Sequence, residues 1–332
     1  MSVAKSSSAI ETTGTADPPH RYCGRFAPSP TGPLHFGSLL AALGSYLEAR
    51  TRGGHWLVRI EDLDPPRERP GAADRILADL ERFGFIWDGP VLRQSMRAEL
   101  YESALERLAD LQLTLSCGCT RSQLTAAGSA PAPPDATDEP RHPQVCPAPA
   151  PAGSGAIRFR CPDREVKFLD RCQGRRHVNV ARSVGPFVVR RRDGLHAYQL
   201  AVTVDDAAQG VTDVVRGADL LGSTARQILL QEALGLPRPG YLHLPLAVNA
   251  DGNKLSKSGD AKALDAATPS VQLVAALDVL RQDPPAELRH ARPDEVWRWA
   301  LGHWRPERFR SLMTINVDAV PPSEAPGQEP SR

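Results

Sequence analysis

The feature that most constrains the fold is a strand–helix alternation that begins near the N-terminus. Leucines spaced along one face predict a helix from about Gly37 to Arg50. Trp56–Ile60 then predicts a short buried strand, and the acidic run Glu61–Asp64 closes it. This β-loop-α-β opening is typical of the first half of an α/β nucleotide-binding unit.

The alternation resumes after an interruption at residues 125–155, which are rich in Ala, Pro and Gly and too poor in large apolar residues to build a core. Helices are predicted at 71–83 and 95–110 before the interruption. After it, strands are predicted at Ile157–Arg160, Phe187–Arg190, Val211–Val215 and Tyr241–Val248, with helices from Tyr198, over Asp219–Leu234, and around 270–281 and 293–303. Alternating elements on both sides of an insertion predict an α/β fold with a parallel sheet split in sequence.

Size and composition narrow the class of protein. A chain of 332 residues can form one large α/β domain with an insertion, or two domains. The net charge of +1 neither supports nor excludes an RNA partner. No apolar run approaches the ~20 residues of a membrane span, and residues 1–20 lack the apolar segment of a secretory signal. We therefore expect a cytoplasmic protein without membrane association, with a disordered tail at 1–20.

The lysines of the chain are concentrated in one loop. Arginine supplies nearly all of the 40 basic residues, yet two of the five lysines lie within Lys254–Ser258. Lysine carries a compact charge on a flexible stem, whereas arginine is a rigid planar fork. A Gly/Ser-rich loop with two ammonium groups suits a phosphate that changes shape during a reaction. A solvated basic loop is the alternative.

A second phosphate-binding pattern lies at Arg25–Ser38, where prolines stiffen the approach to a helix N-terminus. Free backbone N–H groups and the helix dipole favour phosphate at such a terminus. His35 can donate to phosphate oxygens, and Gly37 permits the close approach of a ring or backbone. A structural proline-rich turn is the alternative, but the presence of both patterns in one chain favours a phosphate site.

Arg25–Gly37 and Lys254–Ser258 together resemble the two ATP-binding signatures of class I aminoacyl-tRNA synthetases, and Arg25–Gly37 is most similar to the glutamyl branch. The similarity extends from about residue 22 to residue 259. It implies a Rossmann-type catalytic domain in which His35, Lys254 and Lys257 are catalytic, with Mg²⁺ on the pyrophosphate. The residues implied to bind ATP are Pro28, Thr31, Gly32, His35, Gly37, Ser38, Lys254, Ser256, Lys257 and Ser258.

The same resemblance implies a glutamate site. Glutamate binding needs a cation for the side-chain carboxylate and an anion for the α-ammonium group. Glu61 and Arg216 each follow a predicted strand, at the edge where open α/β sheets bind their ligands. Taken singly, an arbitrary Arg or Glu more often forms a surface ion pair. The residues implied to bind glutamate are Arg25, Phe26, Ala27, Pro28, Ser29, Glu61, Tyr198 and Arg216.

Cysteine spacing predicts a zinc site in the insertion. Cys117-Gly118-Cys119 and His142-x₃-Cys146 offer three sulfurs and an imidazole, a set that suits tetrahedral Zn²⁺. The Pro/Ala-rich span between the pairs has little core, so a metal would supply what packing cannot. The resemblance implies a C-x-C and Tyr-x₃-Cys site, from which this chain departs by His142 and by a longer connecting loop. Two unrelated cysteine groups are the alternative.

The length of chain after the lysine loop bears on the substrate. Only 74 residues follow Ser258, too few for anticodon-binding domains of typical size. The chain is therefore similar to truncated members of the glutamyl branch. These are implied to activate glutamate with ATP and to esterify it onto queuosine in tRNA(Asp), docked by its anticodon stem-loop, as monomers. The alternatives are a truncated enzyme that charges the tRNA 3′ end and a non-catalytic, RNA-binding paralogue.

The expected organisation follows from these assignments. We expect a disordered tail at 1–20, the first half of the catalytic domain at 21–115, an insertion with the zinc site at 116–186, the second half with the lysine loop at 187–262, a helical region at 263–318 and a disordered tail at 319–332.

Overall fold

A computed structural model describes residues 22–127, 140–151, 154–252, 254 and 262–317. Both predicted tails lie outside the described residues, and so do Ser256, Lys257 and Ser258 of the lysine loop. Within these ranges, every helix is too short or too polar to cross a membrane.

The first half of the chain forms three parallel strands and their helices. The strand at 56–60 and the three helices were predicted from sequence, whereas the short strand at 92–93 was not. The elements are β1 (Cys23–Phe26), α1 (Phe36–Arg50), β2 (His55–Ile60), α2 (Ala72–Arg82), β3 (Leu92–Arg93) and α3 (Ala98–Asp110). The strands pair in the order β1-β2-β3, all parallel. A 3₁₀ turn at Gln94–Arg97 occupies the start of the second predicted helix.

The middle of the chain adds β4 (Thr114–Cys117), α4 (Arg121–Ala127), β5 (Ala156–Phe159), β6 (Val166–Asp170), β7 (Gly174–Val178), α5 (Val180–Ser183) and β8 (Phe187–Arg190). Strands β4, β5 and β8 form an antiparallel sheet of their own. The hairpin of β6 and β7 was not predicted from sequence, because arginines at its turn and along β7 obscure its alternation.

The second half completes the parallel sheet. Its elements are α6 (Tyr198–Ala208), β9 (Asp213–Gly217), α7 (Leu221–Leu234), β10 (Gly240–Leu244) and β11 (Leu246–Val248), followed by α8 (Pro269–Val279), α9 (Pro293–His303) and β12 (Thr314–Asn316). Strand β10 lies between β9 and β6, parallel to both. Pro245 divides the predicted strand 241–248 into β10 and β11, since proline has no N–H for the ladder.

The two halves meet between β1 and β9. The Thr212 N–H donates to Cys23 O at 2.9 Å, and further along the Arg25 side chain donates to Val215 O. The contacts advance in the same direction along both strands, so β1 and β9 run parallel. The strand order therefore reverses here, and open α/β sheets bind ligands at the carboxyl ends of strands beside such a reversal.

The C-terminal helices pack against α1 and hold it in place. Glu48 of α1 is fully buried and accepts hydrogen bonds from Trp304 Nε1 at 2.8 Å and from Arg171. Trp297 Nε1 donates to Phe83 O at 2.9 Å. A buried carboxylate must be paired in this way to offset its lost hydration. The helix whose first turn faces the reversal point is thus held by the last part of the described chain.

Gly54 should be intolerant of any side chain. A Cβ on Gly54 would lie 2.3 Å from Tyr22 O, where the chain crosses the start of β1. We expect Gly54→Ala to lower the free energy of unfolding by roughly 2–3 kcal/mol, because the backbone must move to relieve the overlap. In Gly302→Ala the added carbon meets open space, so chemical denaturation should show no loss of unfolding free energy. Equal stability of the two variants would contradict the packing.

Candidate active site

A cavity of about 850 Å³ opens at the carboxyl ends of β1, β9 and β10. It brings together all the described residues that were predicted to bind ATP or glutamate. These are Arg25, Phe26, Ala27, Pro28, Ser29, Thr31, Gly32, His35, Gly37, Ser38, Glu61, Tyr198, Arg216 and Lys254. Their individual roles stay predictions, but folding brings them from five separate places in the sequence into one cavity.

His35 caps the helix terminus that faces the cavity. The Ser38 N–H donates to His35 Nδ1 at 3.2 Å, so a neutral ring carries its proton on Nε2. Burial, reinforced by the charge of Lys254, lowers the pKa of His35. The ring is therefore a neutral donor near pH 7, and Ser38 Oγ lies 3.2 Å from Nε2. A ligand oxygen at this helix terminus would meet both the imidazole N–H and free backbone N–H groups.

Lys254, the described residue of the lysine loop, lines the same cavity as the segment 25–38. The Leu264 N–H, just beyond the lysine loop, donates to Leu34 O at 2.9 Å. Lys254 forms an ion pair with Asp219, which follows β9. The ammonium group of Lys254 is thus held at the cavity by an acid from the second half of the sheet. Asp219 lacked any role in the sequence analysis.

Arg25 is held by an acid that the sequence analysis also missed. Asp206 accepts from Arg25 Nε at 3.0 Å and from Arg59 Nη2 at 2.7 Å. Burial alone would raise the pKa of Asp206, but the Arg25 and Arg59 guanidinium groups hold it below its usual range. Arg59 is fully buried, and an arginine inside the otherwise apolar strand 56–60 was the signal available in the sequence.

The charges of Glu61 and Arg216 have weaker partners than the charges of Arg25 and Asp206. Burial raises the pKa of Glu61, and its contact with Arg59 is long, at 3.4 Å. Arg216 is 5% exposed and donates to His243, Tyr198, Leu220 and Thr224, all neutral acceptors. No carboxylate among the described residues pairs with it. A buried cation without an anion is costly, so this wall of the cavity favours an anionic ligand.

Tyr198 lies between these two charges. Its hydroxyl is 3.3 Å from Arg216 Nη1, and burial raises the pKa of the phenol. The positive charge of Arg216 opposes that shift, whereas the negative charge of Glu61 reinforces it. The cavity thus presents an acid, a phenol and a buried cation together. A zwitterion with a second carboxylate matches this set.

The four predicted zinc ligands form a compact cluster. Ligand atoms of Cys117, Cys119, His142 and Cys146 all lie within 4.8 Å of one another. The Cys119 and Cys146 sulfurs are 3.7 Å apart, and His142 Nε2 lies 3.3 Å from the Cys117 sulfur. A tetrahedron with Zn–S bonds of about 2.3 Å places its sulfurs about 3.7 Å apart. The cluster could therefore hold a tetrahedral metal ion.

The backbone around the cluster orients His142. Its Nδ1 lies 2.7 Å from Pro143 O, so Nδ1 carries the proton and Nε2 presents a lone pair to the sulfurs. The His142 N–H donates to Val184 O at 2.8 Å. Gly185, at φ 76°, packs so closely that a Cβ would lie 1.8 Å from His142 O. The segment that carries His142 therefore packs against residues 180–185.

Residues 23–281 match the family model for the catalytic domain of class I tRNA synthetases (E and Q). The fold and the cavity thus define a ligase of the aminoacyl-tRNA synthetase class. A Glutamyl-Q tRNA(Asp) synthetase from Pseudomonas aeruginosa is 51% identical over 295 residues, which cover 89% of this chain and 97% of that protein. One from Dechloromonas aromatica is 52% identical over 285 residues, covering 85% and 94%. The chain belongs to the Glutamyl-Q tRNA(Asp) synthetase family.

Solved structures agree with this class. A glutamate tRNA ligase from Elizabethkingia meningosepticum, in complex with its amino acid, has a TM-score of 0.70 and 26% identity. The match covers 90% of this chain and 67% of that one. A glutamate-tRNA synthetase from Elizabethkingia anophelis has the same TM-score and identity, covering 89% and 68%.

Proposed function

We propose that this enzyme activates glutamate with ATP to glutamyl-adenylate and transfers the glutamate to queuosine in the anticodon loop of tRNA(Asp). The names of its relatives support the acceptor. The observation that carries the activation step is one cavity that combines Glu61, a buried Arg216 whose partners among the described residues are all neutral, and a helix terminus capped by His35. The proposal includes a cytoplasmic monomer.

Glutamate selection would use the positive charge of Arg216 and the negative charge of Glu61. The Arg216 guanidinium would receive the side-chain carboxylate, and the Tyr198 hydroxyl would add a hydrogen bond to the same group. Glu61 would receive the α-ammonium group, which favours the ionised carboxylate despite its burial. Arg25, which is already paired with Asp206, would contribute shape and hydrogen bonds more than charge.

Adenylation would need positioning rather than acid–base catalysis. An α-carboxylate oxygen forms a bond to the α-phosphorus as the bond to the bridging oxygen breaks, and pyrophosphate departs. His35 and Lys254, which line the cavity, would donate to phosphate oxygens, and Lys257, outside the described residues, would join them. Mg²⁺ on the pyrophosphate would neutralise the departing charge.

The Cys/His cluster would hold Zn²⁺ through Cys117, Cys119, His142 and Cys146. Three thiolates and an imidazole leave no coordination position open, which is the pattern of a structural site. The ion would order the segment 140–151 beside β4. It would take no part in activation.

The acceptor is tested by incubating the full chain with ATP, radiolabelled glutamate and matched RNAs. Queuosine-modified tRNA(Asp) should be labelled, and the same tRNA(Asp) without the modification should not, because a queuosine hydroxyl attacks the mixed anhydride. Labelling that ignores the modification, or that falls on the 3′ end of tRNA(Glu), would instead support a 3′-charging enzyme. Absence of glutamate-dependent ATP–pyrophosphate exchange would overturn the activation step.

A further inference from the structure

Arg216 and two buried polar residues behind it lie on three adjacent strands. Arg216 on β9 and His243 on β10 are register partners, and Asp170 ends the neighbouring β6. Arg216 Nε donates to His243 Nε2 at 3.0 Å, and His243 Nδ1 lies 2.6 Å from Asp170 Oδ2. Both His243 and Asp170 have no exposed side-chain surface. This row, which we call the Asp170 relay, lies at the edge of the sheet where the cavity opens.

The tautomer of His243 follows from its neighbours. Arginine offers only N–H donors, so His243 Nε2 must present a lone pair and Nδ1 must carry the proton. Asp170 is the matching acceptor, and three backbone N–H groups, from Cys172, Gln173 and His243, hold its other oxygen. Burial lowers the pKa of His243 to about 4, so the ring is neutral at pH 7.

Arg25 shows what happens when an acid contacts an arginine directly. Asp206 accepts from both Nε and Nη2 of Arg25, so an anion lies directly against this guanidinium group. In the relay a neutral ring stands between Asp170 and Arg216, so the guanidinium is oriented through Nε without an adjacent anion. An acid in place of His243 would compete with any carboxylate ligand for the same cation.

We propose that Asp170 and His243 are positioning residues that orient Arg216 as the carboxylate receptor while leaving its charge to the substrate. The inference rests on the proposed function and deepens it. Arg216 and Tyr198 both line the cavity. His243 occupies Nε, and Leu220 O and Thr224 Oγ1 occupy Nη2, so Nη1, beside the Tyr198 hydroxyl, is the nitrogen that would meet a carboxylate.

The test is Asp170→Asn in the full chain. The asparagine carbonyl can keep the three backbone N–H bonds, and its NH₂ group then faces His243 Nδ1. The ring must move its proton to Nε2, where it opposes the Arg216 Nε–H. We expect the KM for glutamate in ATP–pyrophosphate exchange to rise roughly ten- to hundredfold, with the KM for ATP within about twofold.

His243→Gln is the conservative counterpart. A glutamine amide can donate to Asp170 and accept from Arg216, so its KM for glutamate should stay within about threefold of wild type. Asp88→Asn is the matched control, since Asp88 also accepts from an arginine and a backbone N–H but lies outside the cavity lining. A KM for glutamate that is unchanged in Asp170→Asn, or raised equally in His243→Gln, would overturn the proposal.

The ring itself gives an independent readout. In ¹⁵N NMR of the wild-type protein, His243 Nε2 should be unprotonated and Nδ1 protonated, with the reverse in Asp170→Asn. A protonated Nε2 in wild type would overturn the proposal whatever the variants do. Failure of the proposed function would appear differently, as absence of glutamate-dependent exchange in the wild-type enzyme.

Discussion

Replacing Arg216 by methionine is expected to lower kcat/KM for glutamate in ATP–pyrophosphate exchange by about a thousandfold, or roughly 4 kcal/mol. Arg216 is buried in the cavity wall and has only neutral partners among the described residues. Its full charge is therefore available to a substrate carboxylate in a region of low dielectric. Methionine keeps much of the length and removes the charge, so the KM for ATP should change little.

Two controls separate this effect from general damage. Arg50→Met removes another arginine with several hydrogen bonds, to Asp88, Gly54 O and Ile86 O, far from the cavity lining. It should reduce thermal stability without changing the KM for glutamate. Arg216→Lys keeps a charge without the planar fork and should fall between wild type and methionine. Near-normal kcat/KM in Arg216→Met would show that the carboxylate binds elsewhere.

Many helices and strands of the fold could be predicted because their sequence patterns are local. The helix 36–50 and the strands 55–60 and 187–190 follow from apolar periodicity within a single window. The β6–β7 hairpin was not predicted because β7 is rich in arginine. In addition, β10, the strand that pairs with β6, lies about seventy residues further along the chain. Pairing at that distance depends on tertiary packing, which periodicity does not report.

The residues that line the cavity were more predictable from sequence than the buried residues that hold them in place. Motifs at 25–38 and 254–258 predict phosphate-binding segments because that chemistry requires particular side chains within a short span. Asp206, His243 and Asp170 carry no such pattern. Asp206 and His243 each contact an arginine from a different element, and Asp170 contacts His243 from a neighbouring strand. Their roles depend on strand register, which places His243 beside Arg216. Supporting residues of this kind become visible only when the strand order is known.

Removal of one ligand from the Cys/His cluster is expected to release the metal. Four ligands share a binding free energy of roughly 10–16 kcal/mol in small structural zinc sites, so losing one should weaken affinity on the order of a thousandfold. The wild-type chain, purified with zinc present, should contain about one zinc per chain by elemental analysis. His142→Ala and Cys146→Ser should contain almost none.

Cys172→Ser is the matched control for cysteine loss. Cys172 is buried and donates to Phe309 O at 3.2 Å, a bond that serine can keep, and it lies outside the cluster. It should retain the zinc of the wild-type chain. Limited proteolysis should cut within 140–151 faster in His142→Ala than in Cys172→Ser. Without the metal, this segment is held by the hydrogen bond to Val184 O and has little apolar packing to keep it in place. Full zinc content in both ligand variants would refute the cluster as the metal site, whereas zinc loss without faster cleavage would mean that packing on residues 180–185 alone holds the loop.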